Sequence, residues 1–285
     1  MTPNRVASKE ALANLLHRAR SVPLRIRALQ LANSTLSIAL SRPLGLIHVE
    51  EHQKCGGTWI RNLIHTYNGS ERFLDDRLLR PHDVIQAHRL YRPWHWRSVI
   101  VVRDPRDMFV SFYYHETQYR RREKGLLIER YFQHDPSRTL HEDFATYLEA
   151  KLLHITHPPF SYREFVRSWR DRPRTIRVRY EDFLADTESA LGRLVTELGL
   201  ALDAGQIREA VAQNRFENAT RLRGQARRPG EADPGEFERK GIAGDWKNHF
   251  DRRSCELLER HEGWTLRELG YERDASWIER FLTGG

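Results

Sequence analysis

Residues 53–59 read Gln53-Lys54-Cys55-Gly56-Gly57-Thr58-Trp59 and are the most informative part of the chain. It follows a strand-like run, Leu46 to Glu51, and opens a helix-like run, Ile60 to Tyr67. Adjacent glycines allow a tight turn that leaves backbone N–H groups open to an anion, and a helix N-terminus favours the same negative charge. The lysine, threonine and tryptophan add a positive charge, a hydroxyl and a flat ring. The stretch predicts a phosphate site beside a base-stacking platform; the alternative is an ordinary turn with a buried Trp.

The rest of the chain alternates strand and helix patterns. Further strands are predicted at Val84–Ala87, Ser98–Val102 and Thr175–Arg179. Helical stretches are predicted at about 105–122, 142–154, 161–170, 187–198 and 250–282, and a loop rich in Gly, Pro and charge at 223–245. Such alternation predicts an α/β doubly wound domain.

A chain of 285 residues is near the upper limit for one hydrophobic core, and we expect one α/β domain over residues 43–285. Residues 1–42 are predicted to form a helical arm with apolar residues at helical spacing. Its basic face contains Arg18, Arg20, Arg25 and Arg27. The arm either packs on the body or makes peripheral contact with a membrane surface, and packing is favoured. The sequence is also compatible with a homodimer.

The composition predicts a soluble globular protein, and its net positive charge suits nucleic acid, a membrane surface or an anionic small ligand. Hydrophobic residues make up 39% and charged residues 30%, with a net charge of +8. The basic residues form scattered short groups, which favours a compact polyanion over nucleic acid. No apolar run is long enough to span a bilayer, and the N-terminus lacks a secretory pattern. The two cysteines are far apart, which disfavours disulfides and structural zinc and predicts a cytoplasmic location.

A second anion site is predicted where the strand Ser98–Val102 ends. Arg103 follows this strand directly, at the edge where α/β sheets bind ligands, and Pro105 suits the first turn of the next helix. Ser111, further along that helix, can face the same anion. The arginine fork suits phosphate oxygens, whereas a surface ion pair with a neighbouring aspartate is the alternative.

A third cationic segment, Arg239-Lys240-Gly241, lies in the predicted loop. It precedes Gly244-Asp245-Trp246-Lys247. Two adjacent cations and a glycine can close over a bound anion, whereas composition alone favours a solvated charge pair.

Together these segments resemble the sulfotransferases that use 3′-phosphoadenosine 5′-phosphosulfate (PAPS). Residues 53–59 keep the lysine, first glycine, second threonine and tryptophan of that family's Pro-Lys-Ser-Gly-Thr-Thr-Trp. Arg103 and Ser111 keep the spacing of its second motif, and the Arg-Lys-Gly and Gly-Asp-Trp-Lys segments keep the third. Tyr180 opens a Tyr-Glu-Asp similar to the one whose tyrosine reaches the adenine, and Phe216 matches an adenine-contacting phenylalanine. The resemblance covers about residues 46–250.

The resemblance implies a P-loop-like three-layer fold, with a central, mostly parallel sheet flanked by helices. It also implies PAPS as donor, PAP as product and no metal, with Lys54 meeting the charge on the leaving phosphate. The donor-binding residues that it implies are Lys54, Cys55, Gly56, Gly57, Thr58, Trp59, Arg103, Ser111, Tyr180, Phe216, Arg239, Lys240 and Gly241. Cys55 and Gly57 replace hydroxyl-bearing residues, a form more similar to bacterial and glycan-modifying branches than to the phenol-sulfating one.

The same resemblance implies that His88, which follows the strand Val84–Ala87, is the catalytic base. A neutral imidazole there takes the proton of an acceptor hydroxyl. His52, His95 and His115 are weaker candidates, and a carboxylate base, as in some glycan-modifying relatives, stays open. The implied acceptor is a glycan or small molecule bearing a hydroxyl or an amine.

The aromatic residues after His88 have two interpretations. Tyr91, Trp94 and Trp96 either stack on an acceptor ring or sugar, with neighbouring arginines holding an acidic group, or belong to the core. The alternatives to a sulfotransferase are a nucleotide-binding, kinase-like P-loop protein and a catalytically inactive binding relative. In the kinase loop the lysine follows the glycines, whereas Lys54 precedes them.

Overall fold

The computed structural model describes residues 29, 32–33, 36–37, 39–70, 77–119, 127–154, 158–221, 226–233 and 239–284. Most of the predicted arm, residues 1–42, therefore lies outside the described residues. Near the end of the arm Asn33 is buried. Its amide donates to Arg77 O at 2.8 Å and accepts from Leu79 N at 3.2 Å.

The centre of the molecule is a parallel four-stranded sheet. Its strands are β1 (Ile47–Glu51), β2 (Val84–Ala87), β3 (Ser98–Val102) and β4 (Thr175–Arg179), in the order β2-β1-β3-β4. All four predicted strands and the predicted parallel sheet are confirmed. The two central strands are buried along their whole length, whereas β4 lies at the edge and is half-buried.

The order of the strands places the ligand edge between β1 and β3. The chain passes from β1 to its neighbour on one side, β2, and then crosses to the other side of β1 to form β3. The connections after β1 and β3 therefore diverge and leave a crevice at the carboxyl ends of these strands, where open α/β sheets bind ligands. The residues that enter this crevice are those directly after Glu51 and Val102.

Ten α-helices complete the described part of the chain. They are α1 (Gly57–Tyr67), α2 (Pro105–Tyr114), α3 (Leu140–Leu153), α4 (Tyr162–Trp169), α5 (Tyr180–Ala185), α6 (Thr187–Glu197), α7 (Ala204–Gln213), α8 (Phe216–Arg221), α9 (Arg252–Glu268) and α10 (Trp277–Leu282). None of the described helices is both long enough and apolar enough to cross a membrane.

The helices differ from the sequence prediction in three respects. The helix predicted at 105–122 is α-helical only to Tyr114 and continues as a π-helical turn, His115–Tyr119; the positions after it lie outside the described residues. The helix predicted at 250–282 is two helices, because Gly270 turns the chain with a φ of 74°. Helices α5, α7 and α8 were not predicted. Helices α5 and α8 have six residues each, and α7 buries only Ile207 and Ala210, so all three carry little apolar periodicity.

The helix α9 buries a carboxyl group against α4. Glu262 is 2% exposed, accepts from Thr265 Oγ1 at 2.5 Å and accepts from Arg163 N at 3.3 Å. Burial away from water raises its pKa from 4.5 to about 7, against the opposing effect of these hydrogen bonds. The folded protein therefore binds more protons than the unfolded chain between these two pH values, and Glu262 lowers the stability progressively as pH rises through that window.

We predict that Glu262→Gln raises the free energy of unfolding at pH 8 more than at pH 5, by as much as about 3 kcal/mol. Glutamine keeps the shape but does not ionise. Urea denaturation at both pH values measures the effect, with Glu256→Gln on the exposed side of α9 as the matched control. Equal changes at the two pH values would contradict the prediction.

Candidate active site

The loop between β1 and α1 turns through two residues in the left-handed backbone region. Lys54 has a φ of 69° and Gly56 a φ of 95°, and Gly56 caps the N-terminus of α1. A side chain at Gly56 is excluded, since a Cβ there would lie 2.4 Å from the ring of Tyr180. The turn presents the N-terminus of α1 at the carboxyl edge of the sheet, as the sequence motif predicted.

The carboxylate of Glu51 fills the space beside the second glycine. A Cβ on Gly57 would lie 2.4 Å from Glu51 Cδ, and Gly57 N donates to Glu51 Oε2 at 2.6 Å. Gln86 Nε2 donates to the other oxygen at 2.6 Å. The sequence motif did not single out Glu51; the available signal is an acidic residue that ends a buried strand before a glycine-rich turn.

The side chains of this loop have different environments. Thr58 Oγ1 lies 3.1 Å from Gln86 Nε2, and Trp59 Nε1 donates to Asn214 O at 2.9 Å. Cys55 is fully buried with its Sγ 3.7 Å from Met108 Sδ, and burial raises the pKa of its thiol. Among the predicted donor-binding residues of this loop, Cys55 is the one whose side chain belongs to the core.

Arg103, from the second predicted anion site, contacts both the first site and the third cationic segment. It is 9% exposed, donates from Nη1 to Lys54 O at 3.0 Å and from Nη2 to Ile242 O at 3.5 Å, and its guanidinium lies 4.5 Å from the Tyr180 ring centre. The alternative of a surface ion pair with Asp104 or Asp107 is wrong, because Arg103 is buried on carbonyl groups. The carboxylate of Asp104 instead bonds Arg106.

The third predicted segment is docked onto α2 by a carboxylate that sequence reasoning missed. Asp107 accepts from Gly244 N at 2.6 Å and from Trp246 N at 2.9 Å. Burial raises the pKa of Asp107, against the lowering effect of the nearby Arg103 charge. The two hydrogen bonds hold residues 239–248 against the helix that carries Ser111. Ser111 is half-buried and shares a helix face with Asp107, one turn earlier.

The cations of the third segment converge on one buried carboxylate. Arg239 Nη2 and Lys240 Nζ each lie 2.6 Å from an oxygen of Asp245. Burial disfavours the ionised carboxyl, but the hydrogen bonds from Lys240 and Arg239 outweigh this effect and hold the pKa of Asp245 well below its ordinary value. The two cations are therefore positioned side by side, and the alternative of a solvated charge pair is wrong.

Gly241 lets the third segment approach an aromatic ring. Its φ is 63°, and a Cβ there would lie 2.6 Å from the ring of Phe216. Arg239 in turn lies 4.7 Å from the ring centre of Tyr114 on α2. The predicted residues of the second and third motifs thus occupy one region, with Phe216 and Tyr180 at its borders.

Two basic side chains lie at the edge of the sheet beside the β1–α1 loop. Lys54 Nζ lies 3.5 Å from His115 Nδ1, at the start of the π-helical turn. His88 follows β2, and its Nδ1 lies 3.0 Å from the carbonyl oxygen of Glu51. A carbonyl only accepts, so Nδ1 carries the proton in this contact and Nε2 remains the basic nitrogen.

The other candidate bases have different environments. His52 is 4% exposed among Phe112, Phe160 and Tyr162, and burial together with the Lys151 charge lowers its pKa to about 3. His95 is 5% exposed and bonds the backbone of Arg92. Both are enclosed in the protein, which leaves His88 as the half-buried histidine at the carboxyl end of a strand.

The aromatic residues after β2 are mostly packed by the protein itself. Trp96 lies between two guanidinium groups, 4.7 Å from Arg42 and 4.3 Å from Arg174. Tyr91 packs on Trp169 and beneath Arg172. Tyr91 packs against the hydrophobic core, which supports the core interpretation for this residue. Trp96 instead contacts two exposed arginines outside the core, and Trp94 is 49% exposed.

Comparison with known proteins agrees with this geometry. The family model described as "Sulfotransferase domain" matches residues 64–270. Curated relatives include a 3-beta-hydroxysteroid sulfotransferase of Cavia porcellus, 24% identical over 175 residues (58% of this chain and 54% of that protein). Sulfotransferase 2B1 of Mus musculus is 25% identical over 210 residues (70% of this chain and 57% of that protein). The chain thus spans about half the length of the curated relatives that it matches.

Solved structures show the same fold. A mouse sulfotransferase, SULT7A1, complexed with PAP has a TM-score of 0.54 and 19% identity, covering 75% of this chain and 83% of that one. A retinol dehydratase in complex with androsterone and inactive cofactor PAP has a TM-score of 0.56 and 19% identity, covering 78% and 81%. At this level of identity the likeness establishes the P-loop-like α/β architecture.

We predict that Gly56→Ala lowers the free energy of unfolding by about 2–5 kcal/mol, since left-handed backbone and a steric clash with Tyr180 both oppose the methyl group. Gly69→Ala is the matched control, because Gly69 has a φ of 61° but nothing within 4 Å of an added Cβ. The control should lose only about 1–2 kcal/mol. If urea denaturation gave equal losses of unfolding free energy for the two variants, the steric clash with Tyr180 would not explain the effect at Gly56.

Proposed function

Because this chain belongs to the sulfotransferase family, we propose that it transfers the sulfuryl group of PAPS to an acceptor hydroxyl and releases PAP. The observation that carries the proposal is the convergence on Arg103 of the β1–α1 loop, Tyr180 and the segment that begins at Arg239. A donor with phosphates at both ends needs two anion sites on either side of one nucleoside. The helix N-terminus and the Arg239–Lys240 pair supply two such sites.

The proposed roles follow from charge and position. Thr58 and the N–H groups at the start of α1 bind the 5′-phosphate, and Arg103, Ser111, Arg239, Lys240 and Gly241 bind the 3′-phosphate. Trp59, Tyr180 and Phe216 contact the adenine. Lys54 meets the negative charge that gathers on the leaving phosphate oxygen, so no metal is required for that step.

Transfer breaks the bond between sulfur and the bridging phosphate oxygen and forms a bond between sulfur and the acceptor oxygen. The electron pair of the broken bond stays on the phosphate, and Nε2 of His88 takes the acceptor proton. The hydrogen bond from Nδ1 to Glu51 O holds the imidazole in the tautomer that this step needs. We propose a hydroxyl-bearing glycan or small molecule as acceptor and the cytoplasm as the location.

The proposal is tested by incubating the protein with labelled PAPS and a panel of phenols, glycans, lipids and amines. Label transfer to one class, with PAP formed in equal amount, is the expected result. Calorimetry with PAP supplies the second measurement, and a well-folded protein that binds neither nucleotide would refute the assignment.

We predict that Lys54→Ala lowers turnover about 100- to 1,000-fold while the fold remains intact, because the leaving oxygen loses its cation. Steady-state label transfer measures turnover, and thermal unfolding checks the fold. Arg208→Ala, on the exposed side of α7, removes a positive charge away from the site and should keep full activity. Full activity of the folded Lys54 variant would remove this lysine from the mechanism.

We predict that His88→Ala lowers transfer to a hydroxyl about 100- to 10,000-fold and leaves PAP affinity nearly unchanged, because it removes the base but no phosphate ligand. Calorimetry with PAP separates the two effects. His82→Asn, at the opposite end of β2, is the matched control. A large loss of PAP affinity in the His88 variant would instead place this residue in the donor site, and unchanged transfer would favour a carboxylate base.

A further inference from the structure

The proposed function assigns the 5′-phosphate to the loop between β1 and α1. The carboxylate of Glu51, the last residue of β1, lies beside this loop. Glu51 Oε2 accepts the N–H of Gly57, the first residue of α1, at 2.6 Å. This N–H is one of the groups that a helix N-terminus offers to a phosphate. The chain therefore places a negative charge of its own at a site for an anionic ligand.

This carboxylate is surrounded by groups that attract negative charge. Its two hydrogen-bond partners, Gly57 N and Gln86 Nε2, are both donors and lie 2.6 Å from its oxygens. The N-terminus of α1 also favours negative charge. Because Glu51 is only 3% exposed, water screens its charge poorly.

The carboxylate is also held in place. Its Cδ lies against the bare Cα of Gly57, where a Cβ would approach to 2.4 Å. Gln86, which bonds the carboxylate, also bonds Thr58 Oγ1 at 3.1 Å. Glu51 is thus part of the wall of the 5′-phosphate site rather than a surface group that turns away when a ligand arrives.

The donor and the product differ in charge at this position. In PAPS the 5′-phosphate is joined to sulfate and carries one negative charge. In PAP the same group is a phosphate monoester with a second pKa of about 6, so it carries nearly two charges at neutral pH. Each transfer therefore adds about one negative charge to the phosphate that faces Glu51.

We infer that Glu51 sets the relative affinity of the site for donor and product, because its charge repels the doubly charged phosphate of PAP more than the singly charged phosphate of PAPS. The inference rests on the proposed function and adds release of the product to it. During transfer, the positive charge of Lys54 offsets the repulsion between Glu51 and the 5′-phosphate. The proposed site therefore uses the charges of both Lys54 and Glu51.

The test compares the dissociation constants of PAP and PAPS for the wild type and Glu51→Gln, measured by calorimetry without acceptor. Glutamine still accepts from Gly57 N but carries no charge. We expect PAP to bind about tenfold more tightly to the variant and PAPS no more than about threefold more tightly. Glu50→Gln is the matched control, because Glu50 is equally buried but points to the opposite face of β1. It should change the ratio less than about twofold.

A second measurement follows the ratio of PAPS affinity to PAP affinity with pH in the wild type and in Glu51→Gln. Between about pH 5.5 and pH 7.5 only PAP gains a charge on its 5′-phosphate. Lys54, His88 and Arg103 act on this extra charge in both proteins, so their contribution cancels when the two proteins are compared. The ratio should therefore rise more with pH, or fall less, in the wild type than in the variant. An identical pH dependence in the two folded proteins, or PAP binding to the variant that is no tighter than to the wild type, would overturn this inference alone. Failure of the wild type to bind either nucleotide would overturn the proposed function and this inference with it.

Discussion

The site depends on one buried guanidinium group. Arg103 leaves the end of a fully buried strand and donates to Lys54 O and Ile242 O, while its plane lies on the ring of Tyr180. Three segments that are distant in the sequence therefore meet at one side chain. Burial of an arginine is costly unless its charge is compensated, and here backbone carbonyls, a ring face and the nearby carboxylates of Asp107 and Glu181 share that compensation. Tyr162 fixes the backbone of Arg103 from the other side, donating to its O and accepting from its N.

Around this arginine, carboxylates organise the groups that are proposed to bind anions. Asp107 docks the third segment on α2, Asp245 holds Arg239 and Lys240 side by side, and Glu51 lies on the N-terminus of α1. Fixed cations and N–H groups reorganise little when a ligand binds, which is the physical basis of electrostatic preorganisation. The same arrangement places negative charge close to both proposed phosphate positions. Under the proposed function, donor affinity and product release both depend on the balance of these opposite charges.

Most of the sheet and its ligand edge could be predicted from sequence because they depend on local patterns. The continuous apolar run of β3 predicts a strand buried on both faces, and the adjacent glycines predict a tight turn that leads into a helix. Both predictions were confirmed. The short helices were missed because six residues of α5 or α8 carry too little periodicity to predict a helix. The aromatic residues near the proposed acceptor side stayed ambiguous, since a tryptophan that stacks on arginines and one that stacks on a sugar look the same in sequence.

The parallel sheet, the Gly-rich turn and the three cationic segments follow from the amino-acid sequence alone, because each depends on neighbouring residues whose spacing sets backbone geometry. The partner of each charge, in contrast, depends on the folded chain. Glu51, Asp107 and Asp245 are ordinary acidic residues in the sequence, and their roles appear when strands and helices bring them to N–H groups and cations far away in the chain. The physical reason is that charge interactions act through space over a few ångströms, whereas sequence patterns report on the backbone over a few residues.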